Sequence, residues 1–514
     1  MSSNTIDAEE NASANPDGAP ELSSLFATRF PALGTEWKAD DAPSPEAVVI
    51  NDELAEDLGV DVGWLHGEDG TAFLAGTNVP DGAKPIAMAY AGHQFGGYSP
   101  LLGDGRALLL GELTSSDGTL ADLHLKGSGR TPYSRGGDGF ATLSAMLREY
   151  LMAEAMHALD VPTSRALGVV TTGASVRREQ MEPGAVLGRV AASHLRVGTF
   201  EYAARKDPDL VRELVDYSIE RHYPELRDAE VPALELLKAV TNAQAFLIAR
   251  WMVNGFIHGV MNTDNVLISG ETIDYGPCAF LETYDPSTVF SSIDRQGRYA
   301  FGNQAKLGQW NLARLAETLL PLFSEQPEEA VAQATEVLEA FPEQFRGHWV
   351  AHMAAKIGLA ERSNDAEVAA LTDGFVEMLA RVGADHTVAF RALSSVLRSQ
   401  DATDYSLASD QAWDVWYQQW LDVLGTADRD EVAAAMDLVN PIYIPRNHLV
   451  EEALSAARSG NLEPFHLLLD VTTSPFTERD DMELYAEPAP AGFCLLYTSP
   501  SPRDQRGSRM PSSA

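Results

Sequence analysis

The chain has 514 residues, 75 of them acidic and 37 basic, for a formal net charge of −38; 45% are hydrophobic and two are cysteine. This suits a globular protein with a large core and excludes a disulfide scaffold. The negative field argues against nucleic acid as a partner, no apolar run reaches the roughly 18 residues of a membrane span, and residues 1–20 lack a signal peptide's basic and apolar regions, so a cytoplasmic location is expected.

Residues 1–20 are polar and predict a disordered tail. Residues 21–231 are expected to form a strand-containing lobe. Leu108–Leu113 and Ala121–Lys126 read as strands around a Ser115–Gly118 turn. Alternation puts Leu123 and Leu125 on one face, with His124 and Lys126 on the other. Ala141–Leu159 predicts a helix, striped by Leu143, Leu147, Tyr150, Leu151 and Ala155, with Glu149 off the stripe. Val169–Thr171 and Val186–Val190 are further expected strands. Residues 232–493 read as mostly helical, from a long apolar helix at Ala239–Gly255 to helices between Trp310 and about Ala457. Val266–Ile268 and Thr272–Ile273 are expected to form a hairpin around Ser269–Gly270. Strands first and helices second predict an α+β protein of two lobes with a cleft between them.

Four features carry chemistry. In Gly103-Asp-Gly-Arg106, glycines let main-chain N–H groups approach a phosphate and Arg106 adds charge; the bland reading is a plain turn. The dinucleotide pattern fails, because Leu108 stands at its third glycine. Lys126 and Glu149 match the strand lysine and helix glutamate that hold nucleotide phosphates in a kinase-like fold, or else are a solvated lysine and a surface glutamate. Asn265 and Asp274 offer an amide oxygen and a carboxylate, which with phosphate oxygens and water suit Mg²⁺.

The run from His258 to Asn265, followed by Asp274-Tyr275-Gly276, resembles a kinase catalytic loop and its metal-binding triplet. Where the kinase base would stand, this chain has Val260, which accepts no proton. Asp264 is the nearest candidate base. Finally, residues 121–200 hold nine basic and seven acidic residues, a local +2 that would concentrate small polyanions such as nucleotides. Arg189 and Arg196 are candidate phosphate forks there, unless they simply pair with surface carboxylates. Only seven basic residues in the chain are lysine. That balance fits a salt-adapted surface, or a GC-rich genome that prefers arginine.

Tyr90-Ala-Gly-His-Gln-Phe-Gly-Gly-Tyr98, Leu102–Arg106, Leu125–Arg135, Gly136–Gly139, Leu147–Tyr150, Gly188-Arg189, His258–Asn265, Thr272–Pro277, Gly297–Phe301 and Asn440–Asn447 together resemble the selenoprotein O family of kinase-like protein adenylyltransferases. The resemblance implies a bilobal protein-kinase-like fold that holds ATP in a flipped orientation and transfers AMP to Ser, Thr or Tyr hydroxyls of target proteins. By motif, it implies that Gly103, Gly105 and Arg106 form the Gly-rich loop and that Lys126 binds phosphate while pairing with Glu149. It further implies that Asp138 and Gly139 contact the nucleotide, and that Arg189 and Arg196 hold its terminal phosphates. Asn265 and Asp274 would bind Mg²⁺, or Mn²⁺, and Asp264 would accept the hydroxyl proton. A conventional protein kinase and a nucleotide-binding pseudokinase scaffold are the alternatives.

The run Cys494–Asp504 back-translates into DNA that resembles a transposase adapter, so residues 494–514 are expected to be library sequence. Members of the family commonly carry a redox-active Cys or selenocysteine near the C-terminus; Cys494 is not expected to be that residue. Cys278 is expected to be a small buried residue.

Overall fold

A computed structural model describes residues 18–178, 180–490 and 492–493. The two strands expected first are Ala107–Thr114 and Leu120–Lys126, antiparallel, with Leu108 opposite Leu125. They lie in a sheet ordered Gly34–Glu36, Ile86–Met88, Ala107–Thr114, Leu120–Lys126, Met181–Ala191, Arg165–Arg177, Glu46–Ile50. The short strand Ala141–Thr142 also pairs with Met181–Ala191. The last two long strands outrun the expected Val169–Thr171 and Val186–Val190. Their far ends are a hairpin of largely exposed residues held by main-chain pairing, which side-chain hydropathy does not register.

Leu123 and Leu125 point into a core on the outer face of the sheet with Leu110, Leu167, Val170 and Val186. His124 and Lys126 therefore point inward, toward the helix Leu143–Ala158. Thr142 caps that helix, its hydroxyl accepting from Ala145 N at 3.4 Å. The apolar stripe of the helix enters the main core, which continues into Pro232–Val253 and later helices. A third core, around Trp413, Trp416 and Trp420, is built by residues between Val253 and Met436.

Seventeen α-helices and antiparallel sheets make the described residues an α+β protein. The change from strands to helices falls earlier than residue 232, since Val197–Lys206 and Pro208–His222 are already helical. Pro232 starts the long helix seven residues before Ala239, where proline's missing N–H costs nothing. Helices also continue past Ala457, at Glu463–Thr472 and Glu483–Ala486.

The expected hairpin around Ser269–Gly270 does not form. Leu267 bridges to Arg196 and Thr272 to Thr163, so the two arms find separate main-chain partners. Ile268 N donates to Leu195 O and Thr272 N to Pro162 O, each at 2.9 Å, and this leaves the arms nothing to exchange with each other. Of the expected N-terminal tail, Gly18 packs beside Trp64 and Pro20 is buried. Residues 1–17 and 494–514 lie outside the described residues. No helix among the described residues is long and apolar enough to cross a membrane.

Candidate active site

The Leu120–Lys126 strand delivers Lys126 and the Leu143–Ala158 helix delivers Glu149 to the same buried spot, where Lys126 Nζ donates to Glu149 Oε2 at 2.6 Å. Both side chains are under a tenth exposed, which rules out a solvated lysine beside a surface glutamate. Lys126 also pairs with Asp274. Arg189 sits in register opposite His124 on the neighbouring strand. Its Nη1 reaches Asp274 Oδ1 at 2.7 Å and Glu149 Oε1 at 3.2 Å. Arg196, at the start of the Val197–Lys206 helix, donates to Asp274 Oδ2 at 3.0 Å and to Asp264 O at 2.6 Å. Three cations thus converge on one carboxylate.

Burial alone would raise the Asp274 carboxyl, but Lys126, Arg189 and Arg196 overrule it and hold it well below the usual carboxylate range. Burial pulls the Lys126 ammonium below its ordinary value, against Asp274 and Glu149, which favour the charged form. Arg106 adds a further positive charge close to Lys126. Asp274 sits at φ 62°, a left-handed conformation that aspartate tolerates better than most residues.

Behind this first ring stands a second that the sequence did not single out. Arg189 Nη2 lies 2.9 Å from His124 Nδ1, and His124 Nε2 lies 2.9 Å from Asp104 Oδ2. A guanidinium can only donate, so Nδ1 accepts and Nε2 carries the imidazole proton. Burial lowers the His124 pKa and keeps that ring neutral. Asp104 also accepts from Met88 N at 3.0 Å. Arg148 bonds Gly276 O at 3.2 Å and Cys278 O at 2.6 Å, and so ties the segment after Asp274 to the Glu149 helix. The signals were present: His124 shares the polar face of Lys126, Asp104 lies inside Gly103–Arg106, and Arg148 adjoins Glu149.

The Gly103–Arg106 turn is held by side chains of a later motif. Thr131 Oγ1 donates to Asp104 O and Ser134 Oγ to Gly105 O, each at 2.5 Å. Gly103 has φ 64°, and a Cβ there would stand 2.5 Å from the Tyr133 ring. Asp138 and Gly139 do not join the cation cluster. Asp138 pairs with Arg178 at 2.7 Å and accepts from Phe140 N at 3.1 Å. Gly139 packs on the Gly129 main chain, just past the end of the Lys126 strand.

Asp264 and Asn265 occupy a single helical turn, Thr263–Asn265. Asn265 Nδ2 donates to Val260 O at 2.9 Å, so the amide is anchored through its nitrogen and its Oδ1 is not used in that bond. Among the described residues no group of three His, Cys, Asp or Glu could cage a metal ion. Gly92 lies against Asp264, where a Cβ would stand 2.6 Å from Oδ1. Thr263 Oγ1 accepts from His93 N at 2.7 Å and donates to Glu201 Oε2 at 2.6 Å; burial pushes the Glu201 carboxyl up to about 7. Cys278 is fully buried and its thiol is pushed up to about 11, the profile of a packing residue.

The sequence model described as Protein adenylyltransferase SelO matches residues 22–473. The chain is 56% identical over 474 residues to Protein nucleotidyltransferase YdiU of Mycobacterium sp. (strain KMS), covering 92% of this chain and 97% of that protein. It is 56% identical over 485 residues to the Rhodococcus jostii (strain RHA1) protein of that name, covering 93% of each. A third such protein, from Cereibacter sphaeroides (strain ATCC 17029 / ATH 2.4.9), is 53% identical over 475 residues, or 92% of this chain and 97% of its own. With a family match from the first sheet strands to the last long helices, and relatives above half identity over nearly their whole length, the chain belongs to the protein adenylyltransferase SelO family.

Proposed function

We propose that this chain transfers AMP from ATP to Ser, Thr or Tyr hydroxyls of target proteins, on a bilobal kinase-like scaffold, with the Lys126–Asp274 cluster as its nucleotide and metal site. The observation that carries this reading is the convergence of Lys126, Arg189 and Arg196 on Asp274, beside the main chain of Asp264. A conventional kinase needs one strand lysine for its phosphates; two more buried arginines suit a triphosphate whose terminal phosphates lie deep. Neither the conventional kinase nor the inert scaffold is favoured by the family relationship.

Asn265 and Asp274 offer a hard amide oxygen and a hard carboxylate, and their small number suits Mg²⁺, or Mn²⁺, whose shell is completed by phosphate oxygens and water. That ion would neutralise phosphate charge. Lys126, Arg189 and Arg196 hold the β- and γ-phosphates, so the α-phosphorus faces Asp264. Gly103, Gly105 and Arg106 cover the phosphates, and Asp138 with Gly139 contacts the nucleoside end. A target hydroxyl attacks the α-phosphorus in line: an O–P bond forms, the bond to pyrophosphate breaks, and Asp264 takes the hydroxyl proton. Fixed charges that need no reorganisation supply most of the acceleration.

The test is transfer of radiolabel from ATP to protein. Label from α-³²P-ATP should be incorporated, and Asp264→Ala, Asp274→Ala and Lys126→Ala should each abolish it while circular dichroism shows a folded chain. Transfer from γ-³²P-ATP alone would return the conventional kinase; ATP binding with no transfer of either label would return the scaffold.

A further inference from the structure

A short hairpin, Gly92–Gln94 paired with Gly97–Ser99, lies directly on the Asp264 turn. Its tip is tied to the same loop by Tyr299, whose hydroxyl accepts from Phe95 N at 2.9 Å and donates to Asn262 Oδ1 at 2.5 Å. Phe95 stands at φ 50°, an unfavourable conformation for a bulky side chain, and is 40% exposed. Tyr98 and Leu101 are also exposed. An apolar rim therefore stands at the mouth of the Asp264 loop.

Three arginines gather around this rim, beside a His93 that pairs with the buried Glu201 at 2.6 Å. Arg298 and Arg314 lie against the Trp310 ring at 4.9 and 5.0 Å, and Arg205 lies over Tyr98 at 5.4 Å. His93 joins the two groups, 4.8 Å from Tyr98 and 5.2 Å from Trp310. Arg314 pairs with Glu317 at 2.8 Å. Among the described residues, neither Arg205 nor Arg298 has a carboxylate within ion-pair distance, in a chain with 75 acidic residues to choose from. Stacking on aromatic faces pins a guanidinium, and the donors that Arg205 and Arg298 do not turn to the Tyr98 and Tyr299 hydroxyls remain for a carboxylate.

We propose that this hairpin and its arginines are the docking surface for the acceptor protein, and that the surface selects hydroxyls flanked by Asp or Glu. The inference rests on the adenylyltransferase reading. The nucleotide has its own cations, Lys126, Arg189 and Arg196, and Arg196 meets the Asp264 loop at the Asp264 main-chain oxygen, whereas the hairpin packs through Gly92 on the Asp264 side chain and is tied to Thr263 and, by way of Tyr299, to Asn262. A segment crossing the Phe95–Tyr98 tip would lead its hydroxyl toward Asp264. The −38 body repels acidic chains in general, so local cations are needed wherever one is to be held.

The probe is a fluorescein-labelled peptide with one Tyr between four Glu, against the same peptide with Gln for Glu, followed by fluorescence anisotropy at ~0.1 M salt. The acidic peptide should bind at least about tenfold more tightly, against the mean field of the protein. Arg205→Glu with Arg298→Glu should remove that preference and leave ATP affinity unchanged. If the double variant misfolds, the exposed Arg205→Glu alone should still weaken the acidic peptide about threefold or more. Equal binding of the two peptides, or a preference untouched by Arg205→Glu, overturns the proposal. So does a parallel loss of ATP affinity, which would assign these arginines to the nucleotide. A failed adenylyltransferase reading would look different: no acceptor takes label from α-³²P-ATP, while the peptide preference stands.

Discussion

Arg196 donates to the main-chain oxygen of Asp264 at 2.6 Å, and the same Nη1 reaches the Asp274 carboxylate at 3.0 Å. One guanidinium thus positions both the candidate base and the candidate metal ligand. Lysine would keep the charge but lacks the planar group that lies over the Tyr90 ring at 4.7 Å and the second nitrogen 4.0 Å from Asp104, which together fix where Nη1 stands. Arg196→Lys is expected to fold and to lose about 100-fold in kcat for AMP transfer, with a smaller change in the KM for ATP. Steady-state kinetics with α-³²P-ATP checks this. Arg196→Ala, which strips one cation from a buried cluster, should also lower stability by about 3 kcal/mol in denaturant melts.

Glu149 favours the charged form of Lys126, whose ammonium burial already pulls down. Glu149→Gln keeps the shape and removes that support, so the Lys126 pKa falls further. Phosphate binding needs the ammonium, and its loss moves to lower pH. The alkaline limb of the pH–activity profile should therefore shift down by about one unit in Glu149→Gln. An unmoved limb would mean that Lys126 is not the group titrating there.

Gly103 is required twice over, by its φ of 64° and by the Tyr133 ring that a Cβ would strike. Gly103→Ala is expected to cost about 1–2 kcal/mol and to raise the KM for ATP about tenfold. Adding Tyr133→Ala removes the ring but leaves the residue-133 Cβ 2.9 Å away and the backbone strain in place, so the double variant should recover only part of the loss. Calorimetry and ATP titration separate the two contributions.

Burial pushes the Glu271 carboxyl up to about 7, although Ser269 and Ala192 N–H bond its charged form. Its unfolded value is ordinary, about 4.5, so between these values the folded chain holds more protons than the unfolded one. The stability from this group is present in full below pH ~4.5 and is lost as pH rises through ~7. Glu271→Gln should flatten that decline, which is at most about 3 kcal/mol. Urea melts at pH 5 and pH 8 on both proteins measure it.

Cys278, buried and with its thiol pushed up to about 11, should resist alkylation in the folded chain. Peptide mapping after iodoacetamide treatment should find it modified only in denaturant, and Cys278→Ala should leave AMP transfer within about twofold.

Much of the site's membership was legible in the residues. Face alternation aimed Lys126 inward, and the helical stripe of Leu143–Ala155 left Glu149 off the main apolar line. What alternation could not tell was that the opposite face is buried too, since a charged residue on a strand looks solvated until its partners arrive. That holds for His124; Asp104 in its turn and Arg148 on its helix find their partners only in distant segments, His124 and the main chain of Gly276 and Cys278. The hairpin expected around Ser269–Gly270 does not form, because Arg196 and Thr163 compete successfully for its two β-like arms.

The sequence by itself determined the order of strands and helices, the family, and the residue types offered for phosphate, metal and proton. Those signals are contiguous or periodic, and a chain cannot hide them. Only the tertiary structure decided which charges meet. Lys126 and Asp274 lie 148 positions apart, and Arg189 and Asp274 lie 85 apart. Such pairs form because sheet register, helix packing and the loop after the long apolar helix enclose them together, where each buried charge is stable only beside its partners.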